Sequence, residues 1–347
     1  MSSIPSFPPA DPDLRHDPDD RHMARAVELA AAVRTSTSPN PWVGCVIVAA
    51  DGRIAEGATQ PPGGPHAEAA ALAAARTTGI DPSGATAYVT LEPCSHHGRT
   101  PPCADALIDA GVARVVVAVT DPDPHVSGGG VERLRAAAID VTTGVLADAV
   151  TDQLAPYLTH RRTGRPHVVL KLAASLDART AAPDGTSRWI TGDAARADAH
   201  RLRAESDAIL VGAGTVRADD PSLTVRHVPG PDPLRVVLGR APEGAKVHPC
   251  LEVDGDLGPI LDDLGSRDVL QVLVEGGAGV AGAFHRAGLV DAYVLYLAPA
   301  LFGGDDAPGL FSGAGAATMS DVWRGRITRV AHLGDDIRVD LQPARST

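Results

Sequence analysis

Apolar residues recur at helical spacing near the start of the chain and in short runs farther along it. Within residues 21–34, Met23, Ala26, Val27 and Ala30 would share one face of a helix. The later elements predicted in this half are strands at 43–48 and 54–57 joined by a turn, helices at 66–77, 102–110, 131–138 and 147–162, and strands at 85–90, 115–119 and 140–143. Strands that alternate with helices indicate an α/β fold with a mainly parallel sheet covered on both faces.

A second alternating series begins after the turn Thr163-Gly164-Arg165-Pro166. Its predicted elements are a helix at 193–203 and strands at 168–172, 208–211, 234–238, 269–274 and 294–297. The start of the chain is rich in Pro, Asp and Ser, a composition typical of disorder. The predicted organisation is a disordered lead-in at 1–20, a first domain at 21–146, a linker helix and turn at 147–166, and a second domain at 167–347.

Composition and charge narrow the class of protein. Hydrophobic residues make up 44% of the chain but aromatic residues only 3%, so the cores must be built from Ala, Val, Leu and Ile. The net charge of −12 argues against a nucleic-acid-binding surface, which needs clustered Lys and Arg. No apolar run reaches the ~18 residues that span a bilayer, and the N-terminus lacks a signal-peptide pattern. With four cysteines a disulfide framework is not expected, which favours a cytoplasmic location.

Two of the cysteines lie in a pattern that predicts a zinc site. His66-Ala67-Glu68 is followed by Pro93-Cys94 and, after eight further residues, by Cys103. One His and two Cys supply the three ligands of a catalytic zinc ion and leave one position for water. His-x-Glu followed by Pro-Cys is the pattern of zinc deaminases, in which the Glu carries protons and does not bind the metal. We predict one Zn²⁺ per chain, bound by His66, Cys94 and Cys103, with Glu68 as the proton carrier.

Two other interpretations of this pattern stay open from the residues alone. His66 could be a surface residue and the cysteines ordinary buried thiols. Alternatively the zinc could be structural, because His96 or His97 in the intervening loop could supply a fourth ligand.

The second half contains glycines directly after several predicted strands. Examples are Gly212-Ala213-Gly214 and Glu275-Gly276-Gly277. Open parallel sheets bind ligands at the carboxyl ends of their strands, where backbone N–H groups can hold phosphate. These glycines do not form a complete nucleotide-binding fingerprint, so the pattern predicts a ligand-binding α/β domain and nothing more specific.

The ordered set of motifs resembles a known family over about residues 21–342. The stretches that carry the resemblance are Ser38-Pro39-Asn40-Pro41 with Val43-Gly44, His66-Ala67-Glu68, residues 90–103, Lys171 to Thr180, Ser187 to Thr191, Asp219-Asp220-Pro221 and Glu275-Gly276-Gly277. The chain is similar to the bifunctional riboflavin-biosynthesis enzymes, in which a pyrimidine deaminase is fused to a 5-amino-6-(5-phosphoribosylamino)uracil reductase.

The resemblance implies a cytidine-deaminase-like domain followed by a dihydrofolate-reductase-like domain, with NADPH as the second cofactor and a homodimer as a possible assembly. The first reaction would deaminate 2,5-diamino-6-(5-phosphoribosylamino)pyrimidin-4-one, and the second would reduce the ribosyl group to ribityl. The implied cofactor contacts are Ala174, Trp189, Thr191, Thr215, Glu275, Gly276 and Gly277. The implied substrate contacts are Asn40, His96, Arg99, Ser187, Arg203, Asp219, Leu223, Arg226 and Glu275.

Within these contacts, Arg203, Leu223 and Arg226 would hold the phosphate end of the substrate, and Glu275 would lie near the ribose. Asp219 is the predicted proton source for the reduction, because a carboxyl group near the sugar can supply a proton when its cleft raises its pKa. A turn-capping role for Asp219 before proline stays open.

Two residues and one segment depart from the family pattern. Gly129 stands where many members have a basic residue, Asp123 replaces a common Asn, and the segment 250–259 looks shortened. Two alternatives to the bifunctional enzyme remain: a zinc deaminase of another base or nucleoside with a non-catalytic C-terminal domain, and a zinc-scaffolded binding protein. Glu68 counts against the second alternative, because a scaffold needs no proton carrier.

Overall fold

A computed structural model describes residues 17–95, 102–123 and 127–344, and the chain divides into two units. The first unit ends at Thr163 and the second begins at Gly164. Each unit is built on one sheet.

The first unit contains six helices and five strands within the described residues. In chain order they are α1 (Pro18–Val33), a 3₁₀ turn (Arg34–Ser36), β1 (Gly44–Val48), β2 (Ile54–Ala58), α2 (Ala67–Thr77), β3 (Thr86–Leu91), α3 (Cys103–Asp109), β4 (Arg114–Val119), α4 (Gly129–Ala136), β5 (Asp140–Thr143), α5 (Ala147–Gln153) and α6 (Ala155–Thr163). The sheet order is β2-β1-β3-β4-β5. β1 runs antiparallel to β2 and β3, whereas β3, β4 and β5 are parallel to one another, so this sheet is mixed and not mainly parallel.

Two glycines allow helices to pack closely against the strands β1 and β2. A Cβ atom on Gly44 would lie 1.9 Å from the carbonyl oxygen of Ala26 in α1, and one on Gly57 would lie 2.3 Å from the backbone nitrogen of Ala71 in α2. Gly57 pairs across the strands with Cys45, and paired residues share a face while consecutive residues alternate. Therefore α1 and α2 cover opposite faces of the sheet.

The start of α1 corrects the predicted lead-in of residues 1–20. The helix begins at Pro18, and the Asp17 side chain accepts a hydrogen bond from the backbone N–H of Asp19. Asp19 also forms an ion pair with Arg114 and accepts a hydrogen bond from Tyr88. Residues 18–20 are therefore ordered, because an acidic cap and a charge pair fix the first turn.

The predicted helix 147–162 consists of two helices, α5 and α6, with Leu154 between them. Leu154, Tyr157 and Leu158 are buried. Since their side chains contribute to a core, residues 147–163 form part of the first compact unit.

The second unit has an eight-stranded sheet. Its elements are β6 (His167–Ser175), α7 (Asp193–Ala204), β7 (Ala208–Gly212), α8 (Ala213–Asp219), β8 (Leu234–Leu238), β9 (Leu251–Val253), α9 (Leu257–Ser266), β10 (Gln271–Val274), α10 (Ala278–Arg286), β11 (Ala292–Ala298), β12 (Gly325–Leu333) and β13 (Asp336–Pro343). The order is β12-β13-β11-β6-β10-β7-β8-β9. The six strands from β11 to β9 are parallel to their neighbours, and the hairpin β12–β13 joins β11 antiparallel.

Alternate residues of the central strands point into two separate cores. Val168 and Leu170 of β6 belong to one hydrophobic cluster, and Val169 belongs to the other. The first cluster includes Phe284 of α10, and the second includes Leu202 of α7. Helices therefore cover both faces of this sheet, and the predicted α/β class is confirmed.

Candidate functional site

Three metal-ligating side chains converge in the first unit. His66 immediately precedes α2, Cys94 lies in the segment after β3, and Cys103 is the first residue of α3. The Nδ1 atom of His66 lies 3.6 Å from Sγ of Cys94 and 3.4 Å from Sγ of Cys103. All three ligand atoms lie within 4.8 Å of one another.

These separations suit a tetrahedral zinc ion. Zinc binds sulfur at about 2.3 Å and nitrogen at about 2.0–2.1 Å, which places nitrogen and sulfur ligands roughly 3.6 Å apart. The residues present therefore fit Zn²⁺, and the three ligands leave one tetrahedral position free for water.

The two cysteines have pKa values shifted in opposite directions. Hydrogen bonding from Cys103 and from His66 lowers the pKa of the Cys94 thiol below its usual range, although burial opposes this. The hydrogen bond to Cys94 and burial raise the pKa of Cys103. The backbone N–H of Cys103 also donates to Sγ of Cys94 at 3.3 Å. Metal binding would displace the remaining proton, since zinc coordinates the thiolate.

Glu68 lies in the first turn of α2 and is only 4% exposed. Burial raises the pKa of Glu68 to about 7, and the charge of Cys94 acts in the same direction. A carboxyl group with a pKa near neutrality can both accept and donate a proton at neutral pH. The structure thus places a buried carboxyl group with a pKa near neutrality beside the three ligands.

Glu92 was not predicted as a functional residue, although it lies within residues 90–103, which carry the resemblance. Its buried carboxylate accepts hydrogen bonds from four backbone N–H groups, at distances of 3.0–3.2 Å. The donors belong to Asp121, Gly128, Gly130 and Val131. Because Glu92 is two residues before Cys94, it ties the ligand-bearing segment to the start of α4. Only an acidic residue next to Pro-Cys hinted at this in the sequence.

Only some of the other residues predicted for the first site lie within the described parts of the chain. Asn40 is half-buried shortly before β1, and its backbone N–H donates to Thr37. His96 and Arg99 lie outside the described residues. At Gly129, a Cβ atom would lie 2.7 Å from Oγ of Ser95, so the start of α4 closely approaches the segment after Cys94.

In the second unit, Glu275 directly follows β10 and is buried against two cations. Arg203 donates to both carboxylate oxygens at 2.7 and 3.0 Å, and Nζ of Lys171 lies 3.8 Å away. Burial opposes ionisation, but the charges of Arg203 and Lys171 outweigh it and lower the pKa of Glu275 to about 2. Glu275 is therefore ionised at neutral pH.

The residues predicted for the phosphate end occupy different environments. Arg203 is engaged by Glu275 and also donates to the Thr224 carbonyl at 3.2 Å. The side chain of Leu223 is buried in a hydrophobic cluster. Arg226 is oriented toward Ser222 Oγ at 2.6 Å. One of these side chains is thus in an ion pair, one is in a hydrophobic core and one makes a local hydrogen bond. A phosphate contact for each stays a prediction.

The residues predicted for the cofactor lie near the carboxyl ends of three adjacent strands. Ala174 lies near the end of β6, Thr215 is in α8 after β7, and Gly276 and Gly277 follow β10. Oγ1 of Thr215 accepts a hydrogen bond from the Gly277 N–H at 3.3 Å, and Gly277 immediately precedes α10. This edge therefore presents a helix N-terminus of the kind that binds phosphate.

Other predicted residues of the second site lie at an exposed rim. Trp189 is 71% exposed, with the guanidinium of Arg196 4.7 Å from its ring centroid. Ser187 and Thr191 are half-buried near it in the chain, between β6 and α7. Asp219 is exposed as the last residue of α8, and its backbone carbonyl accepts a hydrogen bond from Arg188.

No helix among the described residues is long and apolar enough to cross a membrane.

Comparison with known proteins identifies both units. A model of the cytidine and deoxycytidylate deaminase zinc-binding region matches residues 16–119, and a model of the RibD C-terminal domain matches residues 166–339. The riboflavin biosynthesis protein RibD of Escherichia coli (strain K12) is 41% identical, over 93% of this chain and 99% of that protein. The chain belongs to the RibD family. RibD of Mycobacterium tuberculosis (strain H37Rv) is 43% identical over 93% of this chain and 96% of its own length.

Solved RibD structures share the whole fold. Acinetobacter baumannii RibD has a TM-score of 0.86 at 40% identity, covering 94% of this chain and 99% of that one. A Thermotoga maritima diaminohydroxyphosphoribosylaminopyrimidine deaminase/5-amino-6-(5-phosphoribosylamino)uracil reductase has a TM-score of 0.85 at 37% identity, with the same coverage. The resemblance is confirmed. As a RibD-family member, the chain is a bifunctional deaminase and reductase of riboflavin biosynthesis with a zinc-binding deaminase domain and an NADPH-dependent reductase domain.

Proposed function

We propose that the first unit deaminates 2,5-diamino-6-(5-phosphoribosylamino)pyrimidin-4-one and that the second reduces the ribosyl group of the product to ribityl with NADPH. The observation that carries the deaminase half is the convergence of His66, Cys94 and Cys103 beside buried Glu68. A purely structural zinc would not require a proton carrier in this position.

In the deaminase unit, His66, Cys94 and Cys103 would hold the zinc ion. Zinc bound there supplies a Lewis acid that lowers the pKa of a coordinated water to about 7. Glu68 accepts the proton of the attacking water and delivers protons to the ring nitrogen and the departing amine, so that water adds to the ring carbon and ammonia leaves. The pKa of Glu68, raised by burial, supports both directions of transfer.

In the reductase unit, Gly276, Gly277 and Thr215 would bind NADPH near the start of α10, with Trp189, Thr191 and Ala174 completing the cleft. NADPH supplies a hydride when it is bound. That hydride would serve C1 of the sugar, and the chain would supply the proton that the ring oxygen takes as its bond to C1 breaks. We assign the proton to Asp219, and we assign to Lys171 and Glu275 the positioning of the sugar.

The test measures ammonia release and NADPH oxidation in parallel on the pathway substrate. We expect wild-type protein to perform both, with Glu68→Gln losing about 10²–10⁴-fold or more in deamination because the proton carrier is gone. The same variant should retain zinc and, when supplied with the deaminated intermediate, its full rate of NADPH oxidation. Near-normal ammonia release from this variant would contradict the role of Glu68, and wild-type protein with deaminase activity alone would favour a non-catalytic second unit.

We further propose a small-molecule substrate, a homodimeric assembly and a cytoplasmic location. The net charge of −12 supports a small-molecule substrate rather than nucleic acid. A homodimer and a cytoplasmic location without membrane attachment remain predictions. Sedimentation of the purified protein tests the first, and cell fractionation tests the second.

A further inference from the structure

A second group of metal-ligating side chains lies in the other unit, far along the sequence from the deaminase motif. Among the described residues, His248, Cys250 and Glu252 place one ligand atom each within 4.8 Å of one another. Cys250 and Glu252 belong to the segment that looked shortened in the sequence. His248 and Cys250 lie in the segment that directly precedes β9, and Glu252 lies within that strand.

The distance between the nitrogen and sulfur ligands matches that of the deaminase site. Nδ1 of His248 lies 3.5 Å from Sγ of Cys250. A tetrahedral zinc ion holds such a pair roughly 3.6 Å apart. Imidazole, thiolate and carboxylate together are a donor set suited to zinc.

Neighbouring backbone groups orient two of the three ligands. Nε2 of His248 lies 3.1 Å from the carbonyl oxygen of Pro242, to which it donates a hydrogen bond. With the proton on Nε2, the lone pair of Nδ1 faces Cys250. Metal-binding histidines usually donate their second N–H to a carbonyl or carboxylate in this way. One oxygen of Glu252 accepts from the backbone N–H of Ala241 at 2.9 Å.

The cation that pairs with Glu252 can move aside. Nη1 of Arg240 lies 3.4 Å from the second oxygen of Glu252, and the Arg240 side chain is 86% exposed. An exposed ion pair of this kind contributes little free energy. Binding of a divalent cation can therefore replace it.

We propose that His248, Cys250 and Glu252 form a second zinc site, in which Zn²⁺ is bound through Nδ1, Sγ and one carboxylate oxygen. The bound ion would link the segment after Pro242 to β9, the last strand in the order of its sheet. The chain would then bind two zinc ions and not the single ion that the deaminase motif predicts. The proposal is independent of the assignment of either activity.

The experiment measures zinc bound per full-length chain after chelation and dialysis against buffered Zn²⁺. We expect two ions in wild-type protein and one in Cys250→Ser, whose dissociation constant at this site should rise by more than about 100-fold. Glu252→Gln should weaken the same site by about 10–100-fold. The matched controls Asp254→Asn and His332→Ala should each keep two ions. NADPH oxidation at the wild-type rate would show that the variants fold.

Cobalt separates the two sites in one measurement. In a full-length Cys94→Ser/Cys103→Ser protein, we expect added Co²⁺ to give a thiolate-to-cobalt charge-transfer band that disappears on adding Cys250→Ser. One zinc ion in wild-type protein, two ions in both Cys250→Ser and Glu252→Gln, or no such band in the double variant would each overturn the proposal.

Discussion

Glu275 and Asp219 are carboxylates of the reductase unit in opposite environments. Glu275 is buried between Arg203 and Lys171, and although burial alone would raise its pKa, the two cations lower it to about 2. It therefore has no proton to give at neutral pH. Asp219 is exposed at the end of α8. Glu275 is therefore excluded as the proton donor, and the assignment of that proton to Asp219, with Lys171 as the alternative, stays a proposal.

Replacing Asp219 distinguishes a proton-donating role from a turn-capping role. We expect Asp219→Asn to reduce the rate of NADPH oxidation by about 10²-fold or more, because the amide cannot donate an acidic proton. NADPH binding and ammonia release should be unchanged, and Asp263→Asn on α9 serves as the control. An Asp219→Asn enzyme that oxidises NADPH at close to the parent rate would assign the proton to Lys171.

His200 makes the stability of the reductase unit depend on pH. Burial lowers the pKa of His200 to about 4, with further contributions from Arg203 and Arg226, and Nδ1 accepts a hydrogen bond from the Arg226 N–H. The unfolded chain protonates this histidine near pH 6.5 and thus binds more protons than the folded chain. Stability is therefore complete above about pH 6.5 and declines as the pH falls toward 4.

A variant that cannot titrate should remove this dependence. We expect His200→Asn, whose side-chain oxygen can still accept from Arg226, to lose about 1 kcal/mol less stability than wild type between pH 7 and pH 5. Urea unfolding at the two pH values measures the difference. Identical losses in the two proteins would mean that His200 is not the titrating group.

At the scale of elements, the segment after β3 is held by the start of α4. Glu92 joins the two through three of its four backbone hydrogen bonds, and Gly130 allows the contact because a Cβ atom there would lie 1.8 Å from the Pro93 carbonyl oxygen. Cys94 is thus positioned by a helix that supplies no zinc ligand itself.

Glu92→Gln should affect both stability and metal affinity. Gln keeps the size of the side chain, but its amide NH₂ group would face backbone N–H groups that now donate to the carboxylate. We therefore expect a loss of about 1.5–3 kcal/mol in unfolding free energy. Zinc affinity should fall by about 10–100-fold, as for other residues that orient a ligand. Glu56→Gln is the matched control, because Glu56 pairs with Arg25 on the surface. Unchanged zinc affinity in Glu92→Gln would show that the hydrogen bonds of Glu92 do not position Cys94.

Elements with strong periodic patterns were predictable, and short or exposed ones were not. All four apolar residues predicted for α1 are buried. The short strand β9 and the edge strand β12 were not predicted. Neither was β13, although its apolar residues Ile337, Val339 and Leu341 alternate with polar ones. The helices α8, α9 and α10 were also not predicted, because glycines in their first turns obscure the helical pattern.

The two sites also differ in how far they could be predicted from local sequence. His66 and Glu68 lie in one short motif whose chemistry depends on local spacing, so the deaminase centre could be predicted from residue types. Arg203 and Glu275 are 72 residues apart, and their pairing depends on which strands become neighbours in the sheet. No local pattern indicates that an arginine expected to bind phosphate is held by a buried carboxylate.

At the scale of the whole molecule, each unit has its own sheet and core. We expect a chain truncated after Thr163 to fold, bind zinc and release ammonia at a rate within about tenfold of the full-length protein, because no strand of its sheet comes from beyond that residue. Zinc analysis and the ammonia assay on the truncated chain check this. A folded, zinc-loaded fragment without deaminase activity would show that the second unit contributes to the first site.

The sheet of the first unit also determines when the metal can be bound. His66 precedes the helix that packs on β1 and β2, whereas Cys94 follows β3, so the ligands meet only after β3 has paired with β1. An unfolded chain holds no preformed site, and the free energy of zinc binding is added to that of folding. A cell short of zinc would therefore accumulate a deaminase unit that lacks this contribution to its stability.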